Sequence, residues 1–191
     1  MVRKITKWHL MIPFLGEYSR SVILADMERE VNVPHQTLKK YADLLVKDGI
    51  LIEDKKPRNV LYRINHENSM VLNYLSTSEK IVLEETLEKT TLLKRLYELL
   101  SPNMIKTNFL IFGSSAKGRI GEDIDLLAVG KNNVKGSLSS FEGAYGKKIH
   151  LLDVPNLTLQ KTLFKEIMKD HLILNGFDSF IKSFWEFTWK R

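Results

Sequence analysis

The stretch that decides the fold begins Phe109-Leu110-Ile111-Phe112-Gly113-Ser114-Ser115-Ala116-Lys117-Gly118. After Arg119-Ile120-Gly121-Glu122 it resumes as Asp123-Ile124-Asp125-Leu126-Leu127-Ala128-Val129. Its first four residues are a continuous apolar run, as in a strand buried on both faces. The last seven predict a second strand, so the order is strand, glycine turn, strand. A side-chain period of two puts Asp123 and Asp125 on one face and Ile124 and Leu126 on the other. Paired carboxylates repel unless water or a positive charge relieves them, and a hard divalent cation such as Mg2+ accepts such oxygen ligands. Glycine lets backbone N–H groups approach phosphate oxygens and serine adds a hydroxyl donor. Turn and carboxylates together therefore suit a metal–nucleoside triphosphate. A Walker loop is excluded: Gly113 and Gly118 have its spacing, but Arg119 and Ile120 stand where it needs Lys and Ser or Thr.

The Gly113-Ser114 turn, the eight residues between Ser114 and Asp123, and Asp123-Ile124-Asp125 resemble the DNA polymerase β-type nucleotidyltransferase superfamily, more narrowly its minimal prokaryotic members. The resemblance extends from about Met104 to Gly176. It implies a mixed sheet flanked by helices and two-metal catalysis with Mg2+ or Mn2+. It also implies transfer of a nucleoside monophosphate from an NTP, with ATP expected, to a hydroxyl as pyrophosphate leaves. On that basis Gly113 and Ser114 match the phosphate-binding turn, Asp123 and Asp125 match two metal ligands, and Lys117 assists the triphosphate. The family's third carboxylate comes from a later strand. Here that segment is Gly146-Lys147-Lys148-Ile149-His150-Leu151-Leu152-Asp153, with His150 at the acid's position. Losing that acid should slow chemistry more than nucleotide binding. His150 as ligand or general base is one rescue. Asp153 is another, but it falls on the opposite face of a regular strand and needs a bulge. A polar residue closing a strand is the plain alternative for His150.

Upstream, Trp8–Leu15 and Ser21–Val31 show helix-compatible apolar spacing. Asn32-Val33-Pro34 breaks the second, and a further helix is expected from His35 to Asp48, burying Leu38, Ala42 and Leu45. Gly49 stops it, and Ile50–Ile52 and Val60–Ile64 read as a β-hairpin with a basic tip. Three helices and a hairpin over residues 1–66 resemble the winged helix-turn-helix domains of prokaryotic transcription regulators. The resemblance implies double-stranded DNA as partner, with His35, Gln36, Thr37, Lys39 and Lys40 in the major groove and Lys55, Lys56 and Arg58 on phosphate. Gln and Thr suit base edges, and lysines give salt-sensitive phosphate contacts. A domain serving only protein contacts is the alternative, supported by Asp43, Asp48, Glu53 and Asp54 near the same face.

Ser76-Thr77-Ser78-Glu79 has capping-box spacing, so a connector helix is expected from Ser76 to about Leu100. Its stripe, including Leu83, Leu87, Leu93, Leu96 and Leu100, favours packing on the next domain over a coiled coil. Beyond the motif, Asn156 is expected to cap a helix, His171–Leu174 to add a short strand, and Phe177, Phe180, Ile181 and Phe184 to form one face of a last helix. So many aromatics there suggest partial cover by another subunit, hence a homodimer.

The 191 residues are 43% hydrophobic and 27% charged, which excludes disordered, collagen-like and disulfide-rich classes. No cysteine occurs, which removes thiolate metal sites and thiol nucleophiles. No apolar run reaches the roughly 18 residues of a spanning helix, so a cytoplasmic protein without membrane contact is expected. The formal charge of +6 favours polyanionic partners. The fold class expected is α+β, with a winged helix-turn-helix domain at 1–66, a connector at 67–103 and a nucleotidyltransferase-fold domain at 104–191. The expected function is DNA-bound NMP transfer to protein or RNA, and by family analogy an antitoxin-like modifier of a protein partner. The rival is a transcription regulator whose inactive transferase fold senses nucleotide or mediates dimerisation.

Overall fold

The computed structural model describes residues 5–189. The chain divides into two compact units, Met1–Ile81 with Phe184–Arg191, and Val82–Ser183. The division after Ile81 falls inside a helix.

In the first unit a 3-10 helix, Lys7–Phe14, precedes β1 (Ser21–Ile23), α1 (Leu24–Val31) and α2 (His35–Lys47). The hairpin β2 (Leu51–Lys55) and β3 (Val60–Ile64) follows. The sheet order is β1-β3-β2, antiparallel throughout. The single helix expected over Ser21–Val31 is therefore a strand and a shorter helix. Val22 and Ile23 are β-branched and pair with Tyr62 and Leu61, and a partner strand forty residues away outweighs local periodicity. Asn32 then ends α1 in the left-handed region at φ 54°, which asparagine tolerates. The expected α2 core of Leu38, Ala42 and Leu45 is buried. Gly49, at φ +67°, ends α2 as expected: its N–H donates to Val46 and that of Ile50 to Leu45, the paired bonds of a Schellman stop.

Helix α3 (Val71–Lys89) starts five residues before the expected cap. Ser76, Ser78 and Glu79 lie in its buried interior, and Ser78 Oγ bonds the carbonyls of Trp8 and Tyr74 at 2.7 and 2.8 Å. A buried hydroxyl needs such partners, and these lie outside any local capping pattern. The helix also does not run to Leu100. Thr90 is extended, at φ −126° and ψ 89°, and α4 (Thr91–Leu100) starts afresh. The apolar stripe continues across the break, with Leu83, Leu93, Leu96 and Leu100 all in the core of the second unit.

The second unit is built on a mixed sheet of order β6-β5-β4-β7, formed by β4 (Thr107–Phe112), β5 (Asp123–Gly130), β6 (Lys148–Val154) and β7 (His171–Ile173). Strand β4 is antiparallel to both β5 and β7; β5 and β6 are parallel, linked by α5 (Lys135–Tyr145). Phe109, Ile111, Ile124, Leu126 and Ala128 join the α4 leucines and Phe141 in one core, while Leu110 and Leu127 are equally buried on the other face. That accounts for the unbroken apolar runs. Helix α6 (Lys161–Lys169) is preceded by Gln160, so Asn156 is not its cap; Asn156 closes a turn in which its carbonyl accepts from Thr158. The expected short strand is β7, and Phe180, Ile181 and Phe184 of α7 (Phe177–Trp189) are buried. Asn175, unmarked in the sequence, pins β4: its Nδ2 donates to the Met104 and Thr107 carbonyls at 2.9 and 2.8 Å, and its Oδ1 accepts from Phe109 N–H at 2.7 Å. Among the described residues no helix is long and apolar enough to cross a membrane.

Candidate functional site

Where β4 ends and β5 and β6 begin, the sheet brings the sequence-selected residues together. Gly113 leaves β4 at φ +71° and opens a 3-10 turn, Gly113–Lys117, that returns the chain to β5. Ser115, almost wholly buried, donates its hydroxyl to the Asp123 carbonyl at 3.1 Å and so ties the turn to the start of the strand. A side chain at Gly113 would put Cβ 3.0 Å from Asp125 Oδ2. The backbone conformation and the nearness of this carboxylate both call for glycine. Ser114 is exposed at the tip of the turn.

Asp123 stands opposite Lys148 and Asp125 opposite His150 in the parallel register, so the four side chains share one face. His150 Nδ1 lies 3.5 Å from Asp123 Oδ2 and 3.3 Å from Asp125 Oδ1. His150 is exposed and the two aspartates are half-buried. Asp153 is elsewhere, bonded to Asn132 Nδ2 at 2.8 Å, and does not supply a third acid. Lys117 turns away from the carboxylates to Asp170 Oδ1 at 2.6 Å, and the Asp170 carbonyl accepts from Gly113 N–H at 3.0 Å. Asp170 and Lys148 are the site residues that sequence reading passed over. Asp170 arrives through the pairing of Phe112 with His171, which no local motif records, whereas Lys148 lay two residues from His150 on a strand of period two.

The donor set bears on which metal would fit. Two carboxylates on one face suit a hard cation that completes its shell with water and phosphate oxygens. Among the described residues no group of three His, Asp or Glu is placed to hold a metal ion by itself. Asp123 and Asp125 thus fit a cation that arrives with a nucleotide, and the three-carboxylate set of a two-metal centre is not assembled.

In the first unit, His35, Gln36, Lys39 and Lys40 are exposed on α2, with Thr37 half-buried beside them. Lys55, Lys56 and Arg58 are exposed along the hairpin tip. Several have acidic neighbours: His35 with Glu28 at 3.5 Å, Lys39 with Asp43, Lys55 with Glu53 at 3.1 Å, and Lys56 with Asp54 at 2.8 Å. The Asp43 hydrogen bond raises the pKa of Lys39, which stays charged. Exposed pairs of this kind are worth about 0–1 kcal/mol, little enough for a polyanion to displace.

No known family model matches the chain, and neither does any curated protein. Among solved structures, similarity is found to a toxin–antitoxin crystal structure with AMP-PNP, at TM-score 0.38 and 18% identity, over 50% of this chain and 82% of that one. Two mutants of the toxin–antitoxin MntA-HpeT match comparably, at TM-scores 0.38 and 0.37 and identities of 16% and 20%, each over 50% of this chain and 81% and 80% of theirs. Likenesses of that size carry no functional argument, so the reading of the site rests on its own geometry.

Proposed function

We propose that the second unit binds a metal–nucleoside triphosphate and transfers its nucleoside monophosphate to a hydroxyl of a protein or RNA. The observation that carries this reading is the convergence of the Gly113 turn, Asp123, Asp125 and His150 at one end of the sheet. Gly113 opens the turn, its own N–H being held by the Asp170 carbonyl, and Ser114 offers phosphate oxygens a backbone N–H and a hydroxyl; Asp123 and Asp125 would hold the cation that accompanies them. The cation, Mg2+ or Mn2+, supplies charge neutralisation on the phosphate oxygens. In the transfer the acceptor oxygen bonds the α-phosphorus. The bond from that phosphorus to the bridging oxygen breaks, and pyrophosphate leaves with the electron pair. His150 is assigned the acceptor's proton. Lys148 steadies the triphosphate in the place first expected of Lys117, which Asp170 engages.

The first unit, in this proposal, binds double-stranded DNA through α2 and the hairpin. Gln36 and Thr37 are directed to base edges, and His35, Lys39, Lys40, Lys55, Lys56 and Arg58 to the groove rim and phosphates. A second reading is favoured by one observation, the imidazole at the third acid's position: a transcription regulator that senses nucleotide without transferring it.

The deciding experiment incubates the protein with α-32P-labelled ATP, CTP, GTP and UTP in Mg2+ or Mn2+, with cell lysate as acceptor, beside the Asp123→Ala/Asp125→Ala double variant. Label transferred by the wild type alone supports the enzyme and reveals its acceptor class. Nucleotide binding by calorimetry without label supports the sensor, and neither binding nor label removes the site assignment.

A further inference from the structure

Apart from the nucleotide site, the first unit holds a cleft of about 360 Å3 between the start of α1, the outer face of α2 and the hairpin. Leu24 and Ala25 of α1, His35 and Lys39 of α2, and Arg58 and Tyr62 of the hairpin line it. Three features single it out. Arg58 is exposed at the hairpin tip and has no acidic partner among the described residues, so the rim keeps a free guanidinium beside Lys39 and His35. The first turn of α1 has no side-chain cap, because Ile23 stands at the capping position, so its N–H groups are open to another acceptor. Asp26 in that turn is taken up by Arg29. Finally, Tyr62 is fully buried, and its hydroxyl lies beside Lys39 without a hydrogen bond of ordinary geometry to it or to any other described residue. A buried hydroxyl left unpaired is destabilising, so a group that a ligand would satisfy is built into the wall.

We propose that this cleft binds a small organic anion, a phosphate or carboxylate on a compact apolar body. Arg58 and Lys39 hold its charge, and the Tyr62 hydroxyl donates to it. The volume lies in the range of small-molecule clefts, and Leu24 and Ala25 supply the apolar wall for the body. His35, Lys39 and Arg58 are also assigned to DNA, so an occupied cleft would compete with duplex; that consequence rests on the DNA reading, whereas the site does not.

The test uses the full 15N-labelled chain titrated with phenyl phosphate, and with inorganic phosphate and phenol as its separate halves. Saturable shifts at the Leu24, Ala25 and Val60 amides are expected with phenyl phosphate and markedly weaker ones with either half. Tyr62→Phe should weaken binding about tenfold, the loss of one hydrogen bond to a charged group, while thermal stability holds or rises. Arg58→Ala, a change at an exposed tip that leaves folding intact, should weaken it comparably. Absence of saturable shifts at these amides, or wild-type affinity in both variants, overturns the proposal. Fluorescence anisotropy with labelled duplex is read separately. Phenyl phosphate binding by a protein that ignores duplex keeps the cleft and ends the DNA reading; duplex binding with a silent cleft does the reverse.

Discussion

Replacing Gly113 by alanine tests the candidate site with a single methyl group, and Gly118 supplies the control. Both glycines sit at φ +71°. In each, alanine meets the left-handed penalty of about 1–2 kcal/mol, which lowers Tm by about 2–8 °C in a chain of this size. The surroundings differ. At Gly118 the new Cβ lies 3.5 Å from Thr90 Oγ1, an ordinary contact; at Gly113 it lies 3.0 Å from Asp125 Oδ2, and the carboxylate must give way by a few tenths of an ångström. The two variants should therefore melt alike yet bind nucleotide differently. If the turn receives phosphate as proposed, disturbing it and Asp125 should remove at least one charge-assisted contact, worth about 1.5–3 kcal/mol, so Gly113→Ala should weaken Mg–ATP binding about 10- to 100-fold. Gly118→Ala should bind as wild type. Calorimetric titration with Mg–ATP beside thermal unfolding measures both quantities. Equal nucleotide affinity in the two variants, at equal stability, would refute the placing of phosphate against Gly113 and Asp125.

Other parts of the structure give sharper numbers for stability than for activity. Asn175→Leu keeps side-chain size but breaks three hydrogen bonds to the backbone around β4, and should cost about 2–4 kcal/mol, a fall in Tm of about 4–16 °C by calorimetry. Lys39→Ala/Lys40→Ala should weaken duplex binding and lower the slope of log K against log salt by about 1.8, at about 0.9 per lost phosphate contact; an unchanged slope removes α2 from the DNA interface. Burial raises the Tyr18 pKa well above its ordinary value, with a smaller contribution from the Glu79 charge. Its neutral form therefore supports the fold below pH of about 10, and that support is lost as pH rises further. Tyr18→Phe should move the alkaline unfolding midpoint upward in a circular-dichroism titration.

Most of the second unit could be read from short segments, because a strand buried on both faces announces itself by an unbroken apolar run and a turn by its glycines. Phe109–Phe112 and Asp123–Val129 lie within β4 and β5, and the glycine stop at Gly49 is where the α2 turn needs a positive φ. The misreadings share a cause. Ser21–Ile23 and Ser76–Glu79 each match a local template, one helical period and one capping box, and each is overruled by a distant partner: β3 for the first, the Trp8 carbonyl and a buried setting for the second. Three or four residues of local preference amount to a fraction of a kcal/mol each, whereas a ladder of strand pairs or a satisfied buried hydroxyl amounts to more. The break at Thr90 escaped for a different reason. Helices α3 and α4 contribute to one continuous stripe, and periodicity cannot register an interruption that leaves the stripe in phase.

The same distinction divides the candidate site. The spacing of Asp123 and Asp125 is local, and a strand of period two fixes their common face before any partner is known. The meaning of His150 depends on register. A slip of one residue between β5 and β6 would bring Ile149 or Leu151 beside Asp125 and turn the imidazole to the other face. The observed pairing of Asp125 with His150 removes that ambiguity, and the pairing of Ala128 with Asp153 carries Asp153 away from the two carboxylates. A carboxylate in place of His150 would therefore face the same two oxygens that the imidazole faces now. His150→Asp consequently separates the two functional readings. If the acid alone is missing, the variant should transfer NMP faster than wild type with nucleotide affinity little changed, since the third ligand serves chemistry more than binding. If His150 itself handles the acceptor's proton, the same variant should transfer more slowly. An equally silent wild type and variant, both binding nucleotide, would leave the sensor as the function of this unit.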